Sequence, residues 1–117
     1  MDTPEFVYKI ATASGFAPAA LSGHYAGMPV DAQDGFIHLS TAAQLPETLR
    51  LHFRGRGDLV LIAVRTTDIA DHLRWEPSRG GDLFPHLYVP LPLSAVAWTA
   101  PIAVGEDGSC TLPEAVR

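Results

Sequence analysis

The chain has 117 residues, a net charge of -5 and a hydrophobic share of 47%. That suits one α+β domain over residues 1–117, with a core that buries roughly 65% of the unfolded surface. Eight Lys and Arg against thirteen Asp and Glu exclude the concentrated basic face of a nucleic-acid binder, and the single cysteine, Cys110, excludes an internal disulfide.

In chain order, the acidic start Met1-Asp2-Thr3-Pro4-Glu5 lacks the apolar segment of a signal peptide. No apolar run approaches the ~20 residues of a membrane helix. The expectation is a cytoplasmic protein with no membrane partner. Ten prolines and ten glycines predict short elements and many turns. Phe6 to Ile10 reads as a first strand. Thr12 to Leu21 reads as a short helix, weakened by Gly15 and Pro18. After the Asp34-Gly35 turn, Phe36 to Ser40 reads as a strand.

Thr41 and Gln44 match a capping box, and a helix follows to about Phe53. Leu45, Leu49 and Phe53 share one face of it, with Pro46 confined to its first turn. Gly55 and Gly57 end it. Leu59 to Val64 is a continuous apolar run of the kind a central strand carries, covered on both faces. Asp68 to His72 reads as a single turn, Leu73 to Glu76 as a short strand, and Pro77 to Asp82 as an exposed loop. Phe84 to Tyr88 and Ala95 to Thr99 complete the strands.

Two of the five histidines lie in apolar, strand-like segments: His38 in Phe36-Ile37-His38-Leu39-Ser40 and His86 in Phe84-Pro85-His86-Leu87-Tyr88. An imidazole in such a setting is either a hydrogen-bonded core group or a site group. The residues leave both readings open. Trp75-Glu76 ahead of Gly80-Gly81 fits a pocket rim, with an indole to stack, a carboxylate as anchor or base, and glycines that admit a ligand closely. It equally fits an ordinary surface loop. No HxH or HExxH spacing supports a metal site. Arg50, Arg54 and Arg56 suit the end of a helix dipole more simply than an anion site.

Tyr8-Lys9-Ile10, Asp34-Gly35-Phe36-Ile37-His38-Leu39-Ser40 with Gln44, and Trp75-Glu76 followed by Leu83-Phe84-Pro85-His86-Leu87-Tyr88 resemble a bacterial family catalogued as domain of unknown function nine-five-two. A looser resemblance links that family to the ADP-ribosyltransferase superfamily. It implies a split, mostly antiparallel sheet with two main helices and NAD, as substrate rather than resident cofactor, held in a cleft. Catalytic roles would fall to His38, Glu76 and His86. Lys9, Ser40, Thr41, Trp75 and Tyr88 would contact the nucleotide.

The first strand departs from the family's frequent Tyr-His-Ile by carrying Lys9, which when charged donates and cannot accept, and suits phosphate better than a ribose hydroxyl. Three functions stay open: an NAD-utilising enzyme, a non-catalytic small-molecule or nucleotide-binding module using the same pocket, and a structural role for the histidines in a monomer or weak homodimer.

Overall fold

The computed structural model describes residues 3–117; Met1 and Asp2, part of the acidic start, lie outside the described residues. The chain runs β1 (Phe6–Thr12), α1 (Ala13–Phe16), α2 (Ala19–Ser22), β2 (His24–Tyr25), α3 (Pro29–Asp34), β3 (Ile37–His38) and α4 (Leu45–His52). It continues through β4 (Leu59–Arg65), a 3₁₀ segment (Thr66–His72), β5 (Leu73–Pro77), β6 (Leu83–Leu87), β7 (Leu91–Pro92) and β8 (Val96–Ile102).

The apolar run of β4 sits between β1 and β8, antiparallel to both. Leu61, Ile62, Ala63 and Val64 are fully buried, because each face of this sheet meets its own core. Side chains alternate along a strand, so Val7 and Ala11 join Ile62 and Val64 in one cluster. Tyr8 and Ile10 join Leu61, Ala63 and the α4 residues Leu45 and Leu49 in the other.

A second antiparallel sheet has the order β3-β6-β5, and a two-stranded ribbon pairs β2 with β7. The stretch after β3 joins the two larger sheets. Leu39 donates its N–H to Pro85 at 3.0 Å, while Tyr8 and Ser40 exchange N–H···O bonds of 2.8 and 2.9 Å. The sheets part at this bridge, and α4 packs beside the gap. The radius of gyration, 13.3 Å, matches the ~13 Å of a single compact domain of this length.

The helices correct the expectation of two main ones. Thr12 does cap a turn, accepting from the Gly15 N–H at 3.1 Å. Pro18, however, splits the segment into two four-residue helices, because it has no N–H to continue the ladder. Only α4 reaches eight residues. Its start carries both halves of the capping box, Gln44 N–H to Thr41 Oγ1 at 3.3 Å and Thr41 N–H to Gln44 Oε1 at 3.0 Å. The short helix α3 stands in a stretch for which the sequence suggested no element. It begins with Pro29 in the first turn and ends at Gly35, whose φ of 85° is left-handed; both are favoured at those positions.

Candidate functional site

Alternation on the β3-β6-β5 sheet sorts the site. Ile37, Leu39, Leu73, Trp75 and Leu87 turn into the core cluster beneath it. The intervening residues Phe36, His38, His86 and Tyr88 meet on the opposite face. His38 and His86 are direct cross-strand partners, with ring centroids 5.6 Å apart in an edge-to-face arrangement. Phe36 lies against both rings, stacked on His86 at 4.1 Å and tilted to His38 at 4.6 Å. The sheet register therefore brings together two imidazoles separated by nearly fifty positions.

Asp31, from α3, organises the His38 end. One carboxylate oxygen faces Lys9 Nζ and accepts the Met28 N–H, both at 2.7 Å. The other meets His38 Nδ1 at 2.7 Å and accepts the His38 N–H at 3.1 Å. Burial pushes this carboxyl up, but the bonds with His38 and the Lys9 charge outweigh it and hold the pKa at about 2. Lys9 is 4% exposed. Its own burial lowers its pKa against the opposing pull of Asp31. The Lys9 ammonium also donates to the His38 carbonyl at 3.2 Å. His38 Nε2 meets Asp34 at 2.9 Å, so both ring nitrogens face carboxylates, and both contacts are hydrogen bonds only when the ring carries two N–H groups.

The His86 end is built differently. Its Nδ1 meets Glu76 Oε1 at 2.9 Å, a diagonal cross-strand pair within reach of long side chains. Tyr88 donates its hydroxyl to the same oxygen at 2.6 Å. The Tyr88 bond, then the His86 bond, hold Glu76 below the usual carboxylate range, and the same Glu76 contact raises the Tyr88 phenol. Nε2 of His86 has no hydrogen-bond partner among the described residues. A carboxylate that accepts from Nδ1–H leaves Nε2 as the acceptor of the neutral ring.

A cavity of about 490 Å³ opens in the gap between the sheets, inside the range of small-molecule sites. Lys9 from β1, His38 and Ser40 from the β3 stretch, Phe84 and His86 from β6, and Thr48 and His52 from α4 line it. Arg56 and Arg79 complete the cationic groups, and no Asp or Glu of the described residues reaches the wall. Ser40 Oγ and Thr48 Oγ1 lie 3.4 Å apart, and Arg79 donates to Thr48 Oγ1 at 3.2 Å. No three His, Cys, Asp or Glu among the described residues are grouped to hold a metal ion.

The family model for "Protein of unknown function (DUF952)" matches residues 10–99. The chain belongs to the DUF952 family. It is similar to the crystal structure of protein CC0527 from Caulobacter crescentus, with 42% identity over 91% of this chain and 93% of that one and a TM-score of 0.85. A double mutant of that protein gives the same values. Its solution NMR structure matches at 43% identity over 90% of each chain, with a TM-score of 0.78. No curated protein matches the chain.

In this DUF952 chain the cavity takes Lys9, His38, Ser40 and His86 from the residues singled out in the sequence and leaves four others off its wall. Glu76 stands behind His86, engaged by His86 and Tyr88, rather than facing a ligand. Trp75 packs on the core cluster, on the face of β5 opposite to Glu76, and neither lines the cavity. Thr41 is taken up by the capping box. Tyr88, with Phe36, borders a separate depression of about 170 Å³.

Thr48 and Arg79 on the cavity wall, and Asp31 behind it, belong to the candidate site without standing out in the sequence. For Asp31 a signal existed, since Pro29 followed by an acid two residues on is a helix start. Nothing in the sequence joins that start to Lys9 or His38. No helix of the described residues is long and apolar enough to cross a membrane.

Proposed function

We propose that the cleft binds a nucleotide of the NAD or ADP-ribose type, and that this chain is a binding module for it. One observation carries the reading. The cavity joins a buried lysine, three imidazoles, two guanidinium groups and the Ser40 and Thr48 hydroxyls to apolar walls at Ile10, Phe53 and Phe84, with no carboxylate facing inward. Such a lining suits an anionic ligand with a ring to bury. It suits glycosidic cleavage poorly, because positive charge develops at the ribose C1 on that path and calls for a facing carboxylate. Asp31, Asp34 and Glu76 are all turned toward histidines or Lys9.

A second reading is an NAD-utilising enzyme, favoured by the His86–Glu76 pair. An imidazole oriented through Nδ1, with Nε2 uncommitted at a cavity, is built to take a proton. Titration calorimetry with ADP-ribose and NAD, run beside an assay for released nicotinamide, separates the two. Saturable binding without nicotinamide supports the binding module, and release that His86→Ala abolishes supports the enzyme. Failure of both nucleotides to bind ends both readings.

A further inference from the structure

We propose that Arg79, Thr48 and Ser40 form a phosphate subsite in the cleft, whose lining also holds Lys9 as a second cation. The proposal rests on the nucleotide reading above and names the part of such a ligand that this region takes.

Charge partners set Arg79 apart. Six basic side chains line the cavity: Lys9, His38, His52, Arg56, Arg79 and His86. Four already have carboxylates: Lys9 and His38 share Asp31, His86 has Glu76, and Arg56 lies in a two-bond fork with Asp58 at 2.9 and 2.8 Å. Arg79 is the one guanidinium on the wall that makes no ion pair among the described residues, even with Asp82 of its own loop. It is nonetheless held. Its carbon centre lies 4.9 Å above the Phe84 ring, and it donates to Thr48 Oγ1.

The base of its loop is closed by Ser78 N–H to Asp82 O and Gly81 N–H to Ser78 O, each 2.9 Å. A half-buried guanidinium has five donors, of which the structure uses one on Thr48. Beside it, Thr48 accepts from Arg79 and shares a hydrogen bond with Ser40, which leaves one of the two hydroxyl protons to donate to a ligand. A planar cation next to two hydroxyls matches the oxygens of a phosphate, which accept charge-assisted bonds from both types of group. On a chain of net charge -5, a free cation docked in a cavity is a local exception that an anion satisfies. Lys9 commits two contacts, to Asp31 and to the His38 carbonyl, and retains a third donor.

The test is calorimetry of wild type, Arg79→Ala, Arg79→Lys and Thr48→Val against ADP-ribose, ribose 5-phosphate and phosphate-free adenosine. Arg79→Ala is expected to weaken ADP-ribose about ten- to hundredfold, and Arg79→Lys and Thr48→Val less. Adenosine, which has no phosphate, should lose much less affinity than ADP-ribose in each variant, and all three should remain folded by their melting temperatures. Wild-type affinity for ribose 5-phosphate should fall with added salt, and that dependence should flatten in Arg79→Ala.

If wild type binds ADP-ribose and Arg79→Ala binds it equally well, the subsite is wrong and the nucleotide reading stands. If ribose 5-phosphate binds in an Arg79-dependent way while ADP-ribose and NAD do not, the subsite stands and the nucleotide reading falls. If no phosphate-bearing probe binds wild type, both are overturned.

Discussion

His38 and His86 are cross-strand partners on one sheet face, both against Phe36, yet their surroundings differ. His38 is a third exposed at its side chain and boxed between Asp31 and Asp34. His86 is almost fully buried, tied to Glu76 by one nitrogen and unengaged at the other. The helix α3 makes the difference, placing two carboxylates beside one ring and none beside the other. The lesson is that a ring's chemical availability follows from the acids around it more than from its exposure. The more exposed histidine is the more fully used.

The largest effect is expected at Asp31. Asp31→Ala strands the buried Lys9 ammonium and empties four contacts, and is expected to destabilise the fold by about 3–5 kcal/mol in urea unfolding. Adding Lys9→Met to Asp31→Asn should recover stability relative to Asp31→Asn alone, because the unpaired charge is then gone. If Asp31→Ala unfolds with wild-type midpoint and slope, the ion pair contributes nothing to the fold.

Acid sharpens the same contrast. The folded-state pKa of Asp31 is depressed from 3.8 to about 2. Its contribution is therefore fully present above the unfolded value and is lost as pH falls toward the folded one. A component of about 2 kcal/mol should disappear across that window in wild type and be missing from Asp31→Asn. Urea titrations of the two proteins at a series of acid pH values measure the difference. A constant gap between them down to the lowest pH would contradict the assignment.

The two rings can also be removed singly. His38→Ala and His86→Ala are each expected to lower stability by about 1–2 kcal/mol, as hydrogen-bond partners are left behind. On the binding reading, His86→Ala should weaken ADP-ribose more, because its Nε2 is the nitrogen not already committed to a carboxylate. Equal losses of affinity would remove the proposed distinction.

The smallest effect is expected at Glu76→Leu, read by nitrogen NMR of the imidazoles. Loss of the carboxylate should shift His86 away from the Nδ1–H tautomer while leaving the His38 signals in place. An unchanged His86 tautomer would mean that Glu76 does not set it.

Much of the framework was legible in local pattern. The unbroken apolar run of β4 marked a strand buried on both faces, and Thr41 with Gln44 marked the start of α4, because both signals lie within a few residues of the structure they specify. The apolar, strand-like segments around them marked His38 and His86. The same local view grouped Trp75 with Glu76 as one rim, although strand alternation already separates them: Arg74 and Glu76 share a face, and Trp75 belongs to the core.

By itself, then, the sequence determined the family, the central strand, the principal helix and the strand setting of the two histidines. Only the tertiary structure decided that Asp31 sits between Lys9 and His38, that Glu76 stands behind His86, and that Arg79 docks on Thr48 and Phe84 without a carboxylate. The physical reason is range. Capping and alternation act between near neighbours along the chain, whereas the partners of a buried charge are chosen by how the sheets and α3 close around it, and no periodicity encodes that meeting.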